Sequence, residues 1–373
     1  MLKIAIIGCG KIADSHASVI QRIKGCELVA VCDREELMAR QLSIRFGVKH
    51  CFTEVEDLLK SCRPDVVHIT TPPQSHFEIA KQCLDKNIHV YVEKPFTLWT
   101  GEAEELVAIA EGKKLKLTVG HDDQFSHVAR RMRERVKSGY LGDRIVHMES
   151  YYCYVLEGDS YARALLGDKE HWVRKLPGGL LHNIISHGIA RIAEFLSDNS
   201  PEVVVEGFVS PLLANLGEED IVDELRVMIR DKEKTTAYFT FSSQMRPSLH
   251  KFRIYGSRNG LLLDEDQQTL IELRGSNYKS YLAKFIPQIS LSHQYLGNAW
   301  RNLELFLARD FHMDSRKKAL FESFYHSIIN NTAVPIPYKE ILLTSIIMDA
   351  IFEQINSIHL RRKNIVANDI YIK

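Results

Sequence analysis

A strand, turn and helix signature at the N-terminus constrains this chain more than any other feature. Lys3–Gly8 (KIAIIG) is a short unbroken apolar run, the pattern of a strand buried on both faces. It leads into Gly8-Cys9-Gly10-Lys11-Ile12-Ala13, a G-x-G-x-x-A turn that opens a helical stretch from about Lys11 to Ile23. In such a turn the first glycine permits a tight bend and the second lets the backbone approach a pyrophosphate. Ala13 lets helix and strand pack closely. The helix N-terminus offers unsatisfied N–H groups and the positive end of its dipole to phosphates. Gly8, Gly10, Lys11 and Ile12 are therefore expected at a dinucleotide. A second apolar run, Glu27–Asp33 (ELVAVCD), ends in an acid suited to bond the adenosine ribose hydroxyls. Asp33 favours NAD, because a carboxylate repels a 2′-phosphate. Arg34 beside it keeps NADP open.

The next segments continue the alternation. Arg34–Phe46, Gln74–Lys86 and Gly101–Glu111 read as helices, and Asp65–Thr70, His89–Val92 and Leu115–Gly120 as strands, with Pro72-Pro73 ending the first of these. That order predicts a doubly wound parallel sheet. The pattern changes after about residue 124. A helix over His127–Lys137, a strand near Ile145–Tyr154 and a helix from about Gly179 to Leu196 come first. Five strand-like runs then follow in succession: Glu202–Val209, Glu224–Arg230, Thr235–Ser242, Lys251–Tyr255 and Gly260–Asp264. Successive strands favour an antiparallel or mixed sheet. Helical signals return over Asn298–Asn330 and Ile341–Ile358. The expected fold is α/β. An N-terminal Rossmann sheet spans 1–123. An α+β substrate-binding and oligomerisation domain with a large, mostly antiparallel sheet spans 124–373, and the 373 residues suit two domains.

Charge and cysteine usage exclude several classes. Lys plus Arg and Asp plus Glu are both 48, so no net field draws in nucleic acid or an anionic membrane. The basic stretch His127–Lys137 (HVARRMRERVK) is read as a solvated helix face. The cysteines are odd in number and none forms a C-x-x-C pair, which argues against a disulfide framework or a zinc site and for a reducing compartment. No apolar run is long enough for a membrane span, and no signal peptide is evident. A cytoplasmic protein without a bound metal is expected.

Tyr91-Val92-Glu93-Lys94-Pro95 closes a predicted parallel strand, and ligands bind outside the carboxyl ends of such strands. A lysine there can hydrogen-bond a substrate hydroxyl and stabilise developing negative charge. Pro95 restricts the local geometry and could hold a cis bond. Taken together, the GCGKIA turn, Asp33, Thr71-Pro72-Pro73 with His76, and Glu93-Lys94-Pro95 resemble the Gfo/Idh/MocA family. The family is named for glucose–fructose oxidoreductase, inositol dehydrogenase and a rhizopine-catabolism protein. The resemblance implies a Rossmann domain followed by an α/β domain whose sheet often forms the oligomer interface, hence a homodimer or homotetramer. It implies hydride exchange between NAD(P) and a hydroxyl or carbonyl carbon of a sugar, sugar derivative or cyclitol. It also puts Thr71, Pro72, His76, Glu93 and Lys94 at the cofactor, with Lys94 beside nicotinamide and substrate.

The family's second signature, a glycine-rich start and then an acid and a His four residues apart, matches the stretch from Pro177 to His187. If that stretch is helical, Asn183 and His187 lie one turn apart on one face. His187 fits the acid/base role, its ordinary titration range suiting proton transfer near neutrality. Asn183 stands where many members have Asp, and an amide cannot accept a proton, so proton transfer shifts to His187 or Lys94. His182 is an additional polar group of unclear role. Tyr151, Tyr152, Tyr154, His171 and Trp172 are candidates to line a sugar pocket, and equally candidates for ordinary packing. Gly120–Phe125 lacks the basic residues common in the family at that place. The expected mechanism uses His187 for the hydroxyl proton, Lys94 to polarise the oxygen and Asn183 to position a neighbouring hydroxyl. It requires Lys94 and His187 to meet in a cleft between the domains. Two other readings stay open: an NAD-dependent redox glycosidase, and a non-catalytic NAD-binding regulator of the same fold.

Overall fold

The computed structural model describes residues 1–155, 165–275, 278–311 and 314–370, with side chains as far as 357. The chain forms two compact units, Met1–Phe125 with Met313–Ser345, and Ser126–His312 with Ile346–Lys373.

The first unit is built on a six-stranded parallel sheet. Its strands are β1 (Leu2–Ile7), β2 (Cys26–Cys32), β3 (His50–Phe52), β4 (Val66–Ile69), β5 (His89–Val92) and β6 (Leu117–Val119), in the order β3-β2-β1-β4-β5-β6. All the pairings are parallel. The order reverses between β1 and β4, so their carboxyl ends form the crevice where such sheets bind ligands. β4 and β6 are buried at every residue, which is why they read as mostly apolar runs without alternation, broken only by His68 and Thr118. The three-residue β3 and the helix Val55–Cys62 were not signalled by sequence, since β3 is a largely exposed edge with no alternation to read.

The helical region expected over Asn298–Asn330 is two helices, Ile286–Leu307 in the second unit and Asp314–Ile329 in the first. Leu320, Phe321, Phe324 and Tyr325 of the latter are fully or nearly fully buried in the same core as β1, β4 and β5. Each such side chain contributes about 1.5–3 kcal/mol by leaving water. The hydroxyl of Tyr338 accepts from Leu117 N (3.1 Å) and donates to Leu115 O (3.3 Å), covering part of the β6 edge.

The second unit carries a seven-stranded sheet: β7 (Ile145–Cys153), β8 (Glu202–Phe208), β9 (Glu224–Arg230), β10 (Thr236–Ser242), β11 (Leu249–Gly256), β12 (Asn259–Asp264) and β13 (Thr269–Arg274). The order is β13-β12-β11-β7-β10-β9-β8; only β7 and β10 pair in parallel. Strand alternation sorts the residues by face. Val227, Ile229, Phe239, Phe241 and Ile254 point into the core, whereas Val204, Met228 and Tyr238 are exposed. The helix Ser186–Ala193 lies on the inner face, so close that a Cβ on Gly188 would stand 2.5 Å from the Phe239 ring.

The basic helix His127–Lys137 is not the solvated face expected of it. Arg133 pairs with Glu194 (2.5 Å), Arg135 with Glu272 (2.7 Å), and Arg131 donates to Asn298 (3.1 Å). The acids that neutralise it lie far off in sequence, which is why the run looked unpaired. No helix among the described residues is long and apolar enough to cross a membrane.

Candidate active site

The glycine turn has the backbone it needs. Gly8 has φ +96°, and a Cβ there would meet Thr71 N at 2.6 Å and Thr70 C at 2.7 Å. Any side chain at this position would force β1 and β4 apart. Thr70 Oγ1 donates to Gly8 O (2.6 Å) and locks the two strand ends together. Gly10 caps the helix Lys11–Arg22 without a side-chain hydrogen bond, and a Cβ on it would meet nothing within 4 Å. The space beside Gly10 is therefore open at the N-terminus of that helix, where a pyrophosphate would approach the backbone, while Ala13 N already bonds Gly10 O (3.0 Å). Ala13 is fully buried, as its packing role demands, while Lys11 and Ile12 are exposed at the mouth of the turn.

Asp33 follows β2, half-buried, with exposed Arg34 beside it. Its Oδ2 accepts from Cys9 N (2.7 Å) and its Oδ1 from Glu35 N (2.9 Å). A carboxylate has about four acceptor sites, so the side chain can brace the glycine turn and still accept from ribose hydroxyls. Burial pushes the neighbouring Cys32 thiol up to about 12, so it packs as an inert apolar group.

Glu93 and Lys94 leave the carboxyl end of β5, and the Lys94-Pro95 bond is cis. His76 is fully buried beneath this loop. Its Nε2 lies 2.8 Å from Thr71 O, and its Nδ1 lies 3.0 Å from Pro95 O and 3.2 Å from Phe96 O. The ring ties the exit of β4 to the loop after β5. This is an anchoring position for a residue expected at the cofactor. Thr71 is half-buried and Pro72 exposed at the same exit.

Behind Lys94 runs a buried chain of polar groups. Glu93 Oε1 is 2.8 Å from His16 Nε2, His16 Nδ1 is 3.0 Å from His68 Nδ1, and His68 Nε2 is 2.8 Å from the Tyr325 hydroxyl. Tyr91 stacks flat on His68, with centroids 4.6 Å apart and planes 6° from parallel. Burial lowers the affinity of both rings for a second proton. Burial alone would raise the Glu93 carboxyl, but the His16 hydrogen bond and the charges of Lys317 and Lys94 outweigh it and hold it well below its ordinary range. Two neutral rings and an ionised carboxylate admit one proton arrangement. Tyr325 donates to His68, His68 to His16, and His16 to Glu93.

Burial likewise lowers Lys94, opposed by the carboxylates of Glu93, Asp122 and Asp123. A lysine so placed sheds its proton more readily than a surface lysine while remaining in a field that favours a cation. Cations reach this region from the helix Asp314–Ile329. Arg316 pairs with Asp122 (3.3 Å) and Asp123, and buried Lys317 donates to Ser15 Oγ (3.0 Å).

In the second unit the Asn183–His187 stretch is not one helix. Gly179–Ile184 and Ser186–Ala193 meet at Ile185, which keeps its bond to Leu181 O (3.0 Å). Both side chains are half-buried. His187 stacks against Tyr152, with centroids 6.0 Å apart. His182 is buried and lies flat on Phe352 at 4.7 Å, the environment of a packed core ring. Gly178 makes this possible, since a Cβ there would overlap Phe352 at 2.2 Å. Tyr154 follows β7 half-buried, and Trp172 opens a short helical turn with His171 against its ring (5.7 Å).

Sequence reasoning missed His16, His68, Tyr325, Arg316 and Lys317. The first two left a trace. His16 falls on the buried stripe of its helix with Ala13, Ala17 and Ile20, and His68 interrupts the apolar run of β4. The other three lie on a helix far away in sequence, with no local signal that it returns to the first sheet.

Comparison with known proteins places the chain by sequence and by fold. Residues 2–121 match the family model for an oxidoreductase family with an NAD-binding Rossmann fold, and residues 129–262 match the GFO/IDH/MocA C-terminal domain. D-glucoside 3-dehydrogenase of Escherichia coli is 34% identical over 145 residues, 38% of this chain but only 41% of that protein. Myo-inositol 2-dehydrogenase of Thermotoga maritima is 21% identical over 284 residues, 74% of this chain and 81% of that one. Among solved structures, an NAD-binding oxidoreductase from Klebsiella pneumoniae superposes with a TM-score of 0.75 at 18% identity, covering 94% of this chain and 95% of that one. The WlbA dehydrogenase from Bordetella pertussis, in complex with NADH and UDP-GlcNAcA, gives 0.74 at 15% identity, covering 94% of each. These two likenesses are of fold. With both family models matched in sequence order and the glycine turn, Asp33 and the Glu93-Lys94-Pro95 loop in place, the chain belongs to the Gfo/Idh/MocA family of NAD-binding oxidoreductases.

Proposed function

We propose that this protein is a dehydrogenase or reductase acting on a CH–OH carbon of a sugar, sugar derivative or cyclitol, with NAD as cofactor. The observation that carries the reading is the setting of Lys94: a half-buried lysine just past the carboxyl end of a central strand, in the field of the Glu93, Asp122 and Asp123 carboxylates. Bound NAD supplies the hydride acceptor. The chain's own residues hold the substrate and handle its proton.

Gly8, Gly10 and the first turn of the following helix receive the pyrophosphate, with Lys11 and Ile12 at its rim, and Asp33 takes the ribose hydroxyls. Lys94 donates to the reacting substrate oxygen, and its field stabilises negative charge as the O–H proton leaves. His187 accepts that proton in oxidation and returns it in reduction. Asn183 orients a neighbouring hydroxyl, since its amide can donate and accept hydrogen bonds but cannot take the proton. Tyr154 and Trp172 offer faces for a pyranose ring. His182, flat on Phe352, is better read as packing.

Seven free cysteines support a cytoplasmic setting. The exposed Val204, Met228 and Tyr238 on the outer face of the large sheet support a homo-oligomer that covers them. The test is a turnover screen of sugars, sugar acids, cyclitols and nucleotide sugars with NAD, read as NADH absorbance. Net NADH formation with one class is the expected result. Substrate cleavage without net NADH would assign a redox glycosidase instead, and tight NAD binding with no turnover a regulator.

A further inference from the structure

The helix Ile286–Leu307 is built inside out. It has 22 residues, of which only Asn298 is buried. Its inward face carries a row of side-chain amides beside the half-buried Leu291 and Leu305. Gln294 accepts from Glu272 N (2.7 Å) and donates to Glu272 O (3.1 Å), and Asn298 does the same at Leu270 (3.2 and 3.0 Å). One turn on, Asn302 donates to Gln267 O (3.0 Å). Side-chain amides thus take the place of a neighbouring strand along β13, the edge of the large sheet.

The outward face is apolar. At 3.6 residues per turn, Phe285, Ile289, Leu296, Trp300, Leu303 and Leu307 fall within a sector of about 60°, opposite the amides. They are between 45% and 72% exposed. No Asp, Glu, Lys or Arg occurs from Phe285 to Trp300. At roughly 200 Å² for a large side chain, the six present on the order of 700 Å² to solvent. That exceeds the largest apolar patch of a typical monomer, about 300–600 Å², and approaches one partner's share of a standard interface, about 800 Å².

The spacing of the stripe says what covers it. Phe285 and Leu307 stand at equal distances on either side of Leu296, and so do Ile289 and Leu303. Ser292 and Trp300 do too, a small residue matched to the largest one. Turned end for end about Leu296, the stripe meets itself with apolar residues opposite apolar ones and Trp300 over Ser292. Self-complementarity of this kind is the requirement of an isologous two-fold contact. A membrane surface fits less well, because interfacial helices carry a Lys/Arg-rich polar face and this helix commits its polar face to β13.

The geometry points to a second copy of this chain as the occupant: two Ile286–Leu307 helices pair antiparallel across a two-fold axis at Leu296. The contact rests on the homo-oligomer reading above and is distinct from the sheet face. Three variants of the full-length chain separate the possibilities by light scattering and sedimentation at micromolar concentration. Leu296→Glu is expected to halve the parent's mass or weaken its self-association at least 100-fold, with far-UV circular dichroism and NAD binding retained. Leu296→Cys is expected to form a disulfide-linked dimer on mild oxidation, whereas Leu305→Cys, on the inward face, is not. Tyr238→Glu reports on the sheet face alone, so a mass that falls only in that variant overturns the helix contact and leaves the homo-oligomer standing. A parent that is monomeric overturns both, and one that is monomeric and sediments with anionic vesicles assigns the stripe to a membrane surface instead.

Discussion

His16 Nδ1 lies 3.0 Å from His68 Nδ1 in a fully buried setting, so a single proton serves both nitrogens. Burial pushes both rings below their ordinary 6.5. In the unfolded chain they regain that value and bind protons that the folded protein refuses. Stability therefore rises with pH up to the unfolded value, is fully present above it, and is lost as pH falls below about 6.5. Glu93, held low, adds a second loss only as pH falls below its unfolded 4.5. The urea midpoint is expected to be level above about pH 7 and to fall on acidification before any carboxylate titrates. An unchanged midpoint at pH 5.5 would show that the two rings do not stay neutral.

Tyr325→Phe removes the proton that the tyrosine hydroxyl gives to His68 Nε2. A buried acceptor left without its donor costs about 1–3 kcal/mol. Chemical denaturation should show a loss of that size with NAD affinity retained. A change below about 0.5 kcal/mol, the scale of an ordinary surface substitution, would mean that the chain of hydrogen bonds is broken in solution.

Asp33→Ala should weaken NAD binding by roughly 1–3 kcal/mol, the value of one or two hydrogen bonds to a charged group, and weaken NADP binding less. Because Cys9 N and Glu35 N also lose their acceptor, the melting temperature of the NAD-free protein should fall as well. Calorimetry that finds equal NAD affinity in variant and parent would remove the ribose assignment.

Lys94→Ala and His187→Ala should each lower kcat by about 10²–10⁴-fold, the usual contribution of a positioned acid or base. NAD affinity should change little. The loss of Lys94 should also move the alkaline limb of the pH–rate profile. A variant that loses NAD binding in proportion to its rate would demote that residue to cofactor binding.

Gly178→Ala would bring a methyl group 2.2 Å from the Phe352 ring. Overpacking of that kind costs about 1–3 kcal/mol. The thermal midpoint should fall, and Phe352→Leu in the same chain should restore part of it. No recovery in the double variant would mean that Gly178 is required for its backbone, not for the space it leaves.

The parts of this protein that chemistry repeats locally could be read from its residues. The glycine turn, Asp33 and the strand before Lys94 announce themselves because each needs only its immediate neighbours. The seven-stranded sheet was legible as a run of strands, but β13 was not, since its edge is closed by Gln294 and Asn298 from another element. His16 and His68 were visible only as polar intrusions in apolar patterns, and their partner Tyr325 was not visible at all. The charged helix His127–Lys137 misled for the same reason, because Glu194 and Glu272 neutralise it from a distance. Long-range pairing of polar side chains leaves no period in a sequence.

The return of Asp314–Ile329 to the first sheet bears on how the chain is made. Domains commonly fold from the N-terminus as synthesis proceeds. Here β1, β4 and β5 leave the ribosome long before Phe321 and Tyr325, which cover His68 and Tyr91. Until they arrive, the nascent sheet exposes two imidazoles and an apolar patch that nothing earlier in the chain supplies. Stalled nascent chains should gain protease resistance in the Rossmann unit only once the segment through Tyr325 has cleared the exit tunnel. The cofactor-binding half is encoded first and completed nearly last.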